Sequence, residues 1–221
     1  MLSKVSGWLF SRYFLSLSAA KKIAYIAIFI ALSVVTNSLI EINVTASNKI
    51  TFTYFVCFFS GFLLGPLPGF LVGFLGDAIG FLLVPQDVYF LFGVTLGLTG
   101  LLAGLVRKLP LYGRKGVFFK ACIFFVLSYA LITCLLNSLV NYWYVYLFIW
   151  QGKIKTVFWV WLGSRLAFQT VVFAANVGLC AAVLAVLVPT RLFGFFKQEL
   201  SAPPSKKQEG EQEQAPVSKS V

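Results

Sequence analysis

Histidine is absent from the 221 residues. Imidazole general-base chemistry and histidine metal ligation are therefore closed to this chain. Charge is scarce as well, at 11% of residues against about 25% in soluble domains. The four cysteines, Cys57, Cys122, Cys134 and Cys180, lie in apolar stretches with no CxxC spacing. They read as small buried hydrophobes, with no spacing for a metal cage or disulfide framework. No GxxxxGKS/T pattern occurs. If the chain's work is driven by ATP, another chain hydrolyses it.

What is present is hydrocarbon. The hydrophobic fraction is 59% and the mean hydropathy +0.89. A soluble core of this size cannot hide so much apolar surface, so the bilayer is the solvent for most of the chain. A soluble enzyme and a nucleic-acid-binding domain are excluded. The net charge of +11 follows from basic residues placed between apolar runs, where the positive-inside rule accounts for them.

Residues 1–22 are basic and aromatic, with Lys4, Trp8, Arg12, Tyr13, Lys21 and Lys22. Arg12 interrupts what would be the apolar stretch of a signal peptide, so an amphipathic segment on the inner membrane surface is the preferred reading. Six apolar segments follow within residues 23–190, near Ile23–Ile40, Ile50–Gly65, Gly69–Val84, Tyr89–Val106, Val117–Ile149 and Val157–Val188. The second and third look short and the last two long enough to tilt or bend; Pro189 is expected to stop the sixth. Residues 191–221 form a tail, and from Gln198 its Gln, Glu, Lys, Ser and Pro composition predicts disorder. With six spans both termini share one side. Fourteen of the 18 Lys and Arg residues fall on that side, which predicts cytoplasmic termini. The expected fold is an all-α membrane bundle.

Asp77 and Arg165 are the full charges well inside spans. Such groups cost about 2.5–3.5 kcal/mol on insertion scales and mark a site or an ion pair. An Asp77–Arg165 pair that only locks helices is the structural alternative to a ligand role. Polar residues recur at helical spacing on four spans. Arg165, Gln169 and Asn176 fall within about 40° on the sixth. Thr133, Asn137, Asn141 and Tyr144 share a face of the fifth, Ser33 and Asn37 of the first, and Thr95 and Thr99 of the fourth. Interhelical hydrogen bonding is the plainer reading of any single stripe. Four together, lying toward the outer ends, predict a polar cavity that opens outward and is sealed inward. Glu41 to Lys49 is placed as a polar lid. Tyr89 and Phe90 offer aromatic faces beside it; Trp143, Tyr146 and Trp150 fit an interfacial belt. Ala24, Ala27 and Ala31 form a small-residue stripe on the first span, and glycines crowd spans two to four, where they suit close internal packing.

These residues together resemble the substrate-binding (S) components of energy-coupling factor (ECF) transporters, in particular the folate family. The run KITFTYFVCFFSGFLLGPLPGFLVGFLGDAIGFLLVP is similar to that family's K-I-x-F, G-x-x-x-G-P and D-x-x-G steps. YFLFGVTLGLTGLLAGL resembles its entry into span four, and LLNSLVNYWYVYLFIWQGK with SRLAFQ its closing pattern. Val94 departs from it, standing where the family has Phe. The resemblance covers about Ile23 to Val188. It implies a six-helix vitamin-binding subunit of a bacterial plasma membrane, with no bond chemistry and no cofactor of its own. It also implies docking on a transmembrane coupling subunit through Ala27 and Ala31, and two ATPase chains that supply energy. Arg165, Asn137 and Gln169 match the family's polar site. In that reading Arg165 holds an anionic or carbonyl group of the ligand, Asn137 and Gln169 read a heterocycle's edge, and Tyr89 and Phe90 stack on it. Asp77, Asn141 and Asn37 complete the set, Asp77 either as a ligand contact or as the partner that fixes Arg165. Other ligands (a pyrimidine, pantothenate, a deazapurine) remain open at this point, as do a stand-alone proton-coupled transporter and a membrane scaffold.

Overall fold

The computed structural model describes residues 8–40, 42–45, 48–84, 89 and 91–190, with backbone alone at 39, 42–45, 48–49 and 190. The tail and residues 1–7 lie outside them. The described chain is almost wholly helical. A short helix α1 (Arg12–Ser16) leads into α2 (Ala19–Val34), which continues as a wider π turn over Val35–Leu39. A two-stranded antiparallel hairpin follows, β1 (Ile42–Thr45) and β2 (Asn48–Ile50), paired Ile42 to Ile50. Within the lid expected at Glu41–Lys49, the backbone of 42–45 and 48–49 is paired as strands; residues 41, 46 and 47 and the side chains of the segment lie outside the described residues. Then come α3 (Thr53–Leu64), α4 (Pro66–Leu83) and α5 (Phe92–Val106). Two long helices close the chain, α6 (Gly113–Ile149) and α7 (Phe158–Thr190).

Among the described residues, four helices are long and apolar enough to cross a membrane: α2, with its π turn, α4, α6 and α7. Helices α3 and α5 are apolar but shorter. The segment expected to be short at Gly69–Val84 is in fact an 18-residue helix, because Pro66 sits in its first turn, where a missing amide is no loss. Pro189 does not stop α7, which runs to Thr190; a proline at the last turn forfeits a single backbone bond. Helix α6 accommodates its length with π-helical turns over Ser128–Asn137 and Val145–Ile149. Such turns widen the helix locally and are frequent at functional sites.

Glycine sets the core. A Cβ built on Gly69 would lie 2.6 Å from both the Gly100 carbonyl oxygen and Gly61 Cα. Helices α3, α4 and α5 therefore meet backbone to backbone, as small residues allow in membranes. Gly65, at φ +116°, makes the turn between α3 and α4, a conformation that L side chains rarely adopt. The N-terminal segment closes over that turn. The Ser11 amide donates to the Leu64 carbonyl at 2.9 Å and the Ser11 hydroxyl to the Leu63 carbonyl at 2.7 Å. Lys108 lies 3.9 Å from the Trp8 ring centroid. Below the polar half of the bundle, Phe58, Phe62, Phe124, Val172 and Leu184 pack into one buried cluster.

Candidate ligand site

The hairpin emerges from one end of the bundle, and polar side chains gather below it in two adjoining groups. The first is centred on Asp77 of α4. Asn37, in the π turn that ends α2, donates from Nδ2 to Asp77 Oδ1 at 2.8 Å. Thr53, at the start of α3, donates from its hydroxyl to Asn37 Oδ1 at 3.2 Å. The Tyr89 hydroxyl, beside Gly93, donates to the same Asp77 carboxylate. Burial first and the Asp77 charge second push the Tyr89 phenol up to about 12. Hydrogen bonds to a charged acceptor contribute roughly 1.5–3 kcal/mol each, so this carboxylate ties α2 to α4 firmly.

The second group is centred on Tyr54, the next residue of α3, which is buried. Thr133 of α6 donates its hydroxyl to the Tyr54 oxygen at 3.2 Å. Asn137, one turn further on, is hydrogen-bonded to the same oxygen, and the positive charge of Arg165 acts on it. The Tyr54 ring packs on Phe173 with centroids 4.4 Å apart. The Arg165 guanidinium lies 5.3 Å from the Trp161 ring centroid, in cation–π range. Arg165 and Gln169 are both buried, one turn apart on α7. Asn141 is buried on α6, and its Oδ1 has no hydrogen-bond partner among the described residues.

The structure thus gathers Asn37, Asp77 and Tyr89 into one contact set, and Asn137 and Arg165 into another through Tyr54. Gln169 and Asn141 lie buried beside that second set. Phe90 lies outside the described residues. The Thr95–Thr99 stripe serves its own helix: Thr95 donates to the Phe92 carbonyl at 2.8 Å and Thr99 to the Thr95 carbonyl at 2.9 Å, the usual recourse of a helical hydroxyl in an apolar setting. Sequence reasoning missed Thr53, Tyr54, Trp161 and Tyr142. Tyr142 donates to the Thr156 carbonyl at 3.1 Å and packs edge-on against Trp161, fastening the α6–α7 connection. Its signal was the aromatic run Tyr142-Trp143-Tyr144, in which Trp143 reads as part of a belt and Tyr144 as part of a polar stripe. Thr53 and Tyr54 had no periodic partner on their helix to betray them. Among the described residues no group of three His, Cys, Asp or Glu is placed to hold a metal.

Away from this site, Ala24, Ala27 and Ala31 are exposed on α2. Ala27 and Ala31 line an open apolar groove of about 500 Å³ with Val34 and with Ile79 and Leu83 of α4.

A site of buried amides, phenol and guanidinium beneath a hairpin is suited to capture of a polar heterocycle, and known proteins with this build bear on it. The fold is similar to that of the crystal structure of FolT bound with folic acid, at 22% identity and a TM-score of 0.55, over 72% of this chain and 89% of that one. The resemblance to S components noted from the sequence is borne out, and a folate-bound protein stands among the structural neighbours. No curated protein matches the chain. The model of the ECF-type riboflavin transporter S component matches residues 17–188. Spanning most of the chain, that match makes this protein a member of the ECF-type riboflavin transporter S-component family.

Proposed function

We propose that this chain captures a vitamin with a flat, fused heteroaromatic ring from the outer side of the membrane and delivers it inward with ECF partner subunits. The family description favours riboflavin, and the fold neighbour's ligand favours folate. Both rings present adjoining amide-type donors and acceptors. The observation that carries the reading is the convergence on Tyr54 of Thr133, Asn137 and Arg165. Beside it stands Asn141 with an unused buried oxygen. Buried polar atoms without partners are rare in a folded protein, and a ligand amide would satisfy this one.

In this reading Arg165 holds a carbonyl or anionic group by charge-assisted hydrogen bonds. Asn137, Asn141 and Gln169 read the ring's edge, and the hairpin covers it, with Tyr89 nearby. Asp77 acts through Asn37 and Thr53, setting the height of the α3 start. Helices α2 to α7 make six spans, α3 and α5 short ones, with both termini cytoplasmic. The alanine groove on α2 takes the transmembrane coupling subunit, and two ATPase chains supply the energy. Thermal-shift and fluorescence titration of the detergent-solubilised chain with riboflavin and with folic acid tests the reading. Stabilisation by one of them at micromolar concentration or below is expected; no response to either overturns it. Ala31→Trp, at the groove, is expected to leave binding intact and abolish uptake in cells that carry the partner subunits.

A further inference from the structure

Asn176 shares the buried face of α7 with Arg165 and Gln169, yet its amide is engaged elsewhere. It is fully buried. Its Oδ1 accepts from the Phe55 amide at 3.1 Å. Its Nδ2 donates to the Thr51 carbonyl at 2.9 Å and to the Val172 carbonyl at 2.9 Å. An asparagine amide has two N–H donors, and both are used here.

The partners lie at a particular place. Helix α3 begins after Phe52, which makes no side-chain capping bond. The first amides of a helix have no partner within it, and an N-terminal Ser, Thr, Asp or Asn usually accepts from the second or third of them. Phe55 is that third residue. Its acceptor comes instead from α7, 121 residues along the chain. Thr51 directly follows the last residue of β2, Ile50. Asn176 therefore grips one carbonyl at the exit of the hairpin and one amide inside α3. Between the two grips stand Thr53, which bonds Asn37, and Tyr54, which bonds Thr133.

We propose that Asn176 is a positioning residue: it caps α3 from α7 and so fixes Thr53 and Tyr54 relative to Arg165, which stands about three turns away on the same helix. The proposal rests on the capture function above. Any shift of α7 on ligand contact is carried through this amide to the base of the hairpin, so the cap joins the helix that holds Arg165 to the element that covers the site.

Hydrogen–deuterium exchange on the full chain in detergent, resolved at Tyr54 and Phe55, is the first measurement. Asn176→Leu removes all three bonds at similar volume. Asn176→Asp keeps the acceptor for Phe55 but has at most one proton to give, against the two that Asn176 donates to Thr51 and Val172. Exchange at Phe55 is expected to quicken at least tenfold in N176L and to stay near wild type in N176D. Riboflavin and folic acid are then titrated. Whichever binds the wild type is expected to bind N176L at least tenfold more weakly, with N176D in between. Adding Tyr54→Phe is expected to weaken N176L less than it weakens the wild type, which a loss of general stability does not produce. Unchanged Phe55 exchange or unchanged affinity in N176L overturns the proposal. Should N176L fail to fold, wild-type affinity in N176D overturns it. If the wild type binds neither vitamin, the capture function fails, and exchange at Phe55 still decides whether α7 caps α3.

Discussion

Helices α3, α4 and α5 touch backbone to backbone, whereas α6 and α7 reach their neighbours through side chains. At Gly69 no room is left for a methyl group. At Gly163 and Gly178 of α7 nothing lies within 4 Å of the place a Cβ would take. One half is a slab without slack. The other contributes polar side chains, Arg165, Gln169, Thr133 and Asn137, toward it. A close-packed wall of small residues fixes the position of Asp77 and Tyr54, and two longer helices bring polar side chains to it. The two halves answer differently to mutation. Gly100→Leu is expected to abolish folding, since its side chain enters the Gly69 backbone and overpacking of a tight core costs about 1–3 kcal/mol even in milder cases. Gly163→Ala is expected to keep the fold and gain up to about 1 kcal/mol of helix propensity. Size-exclusion yield and melting temperature of the two variants check the contrast, and equal behaviour breaks it.

The next effect belongs to the side-chain half. Arg165→Ala leaves the glycine slab untouched and removes the one cation of the α7 stripe. Hydrogen bonds to charged groups contribute about 1.5–3 kcal/mol, so a weakening of vitamin binding by about 10- to 100-fold is expected. Melting of the empty protein should fall less than binding does, because the glycine slab is untouched and what is lost is the contact of a buried Arg165 with Tyr54 and Trp161. Isothermal titration beside thermal melts separates the two. Retained affinity removes Arg165 from the site.

The slab was the more legible half in the sequence. Glycine at four-residue spacing announces close packing directly, since the absent side chain is itself the interaction. Helix ends were less legible. Pro66 and Pro68 read as a tight turn before Gly69, yet the structure uses Pro66 as the first helical residue. The site was legible where polar residues recur on one face, as for Arg165 and Gln169. It was illegible where a single residue acts alone. Tyr54 and Thr53 sit in an apolar helix without periodic company, and only their distant partners reveal them. Asn176 shows the opposite error. Periodicity placed it with Arg165 and Gln169, but its hydrogen bonds go to backbone, at Thr51 and Phe55 beyond its own helix and at Val172 within it. A helical face tells which way a residue points and leaves open what it meets there.

Where the two halves touch, the effect should be smaller. Tyr54→Phe keeps the ring against Phe173 and deletes only the hydroxyl that Thr133 and Asn137 meet. A neutral hydrogen bond contributes about 0.5–1.5 kcal/mol net, which predicts roughly two- to tenfold weaker vitamin binding. The same loss from Thr133→Val, with no further loss in the double variant, would locate the effect in that one contact. Additive losses would assign the two residues separate roles.

The smallest expected effect lies at the rim of the slab, in the contact of Tyr89 with Asp77. Burial and the neighbouring carboxylate raise the Tyr89 phenol from its ordinary value near 10 to about 12. The folded state therefore holds this proton more tightly than the unfolded state does. Its contribution to stability is intact below about pH 10 and is lost as pH climbs toward 12. Ionisation would place two negative charges against each other beside Gly93. Tyr13, pushed up to about 12 by burial and its hydroxyl contact with Tyr25, titrates in the same window, so the wild-type curve alone is ambiguous. Tyr89→Phe removes one of the two and leaves Tyr13 in place. Tyr89 is 38% exposed, and solvent screens such contacts, so the alkaline drop in melting temperature should exceed that of the variant by only about 1–2 °C. Identical alkaline profiles would show that the Tyr89 proton is not held by Asp77.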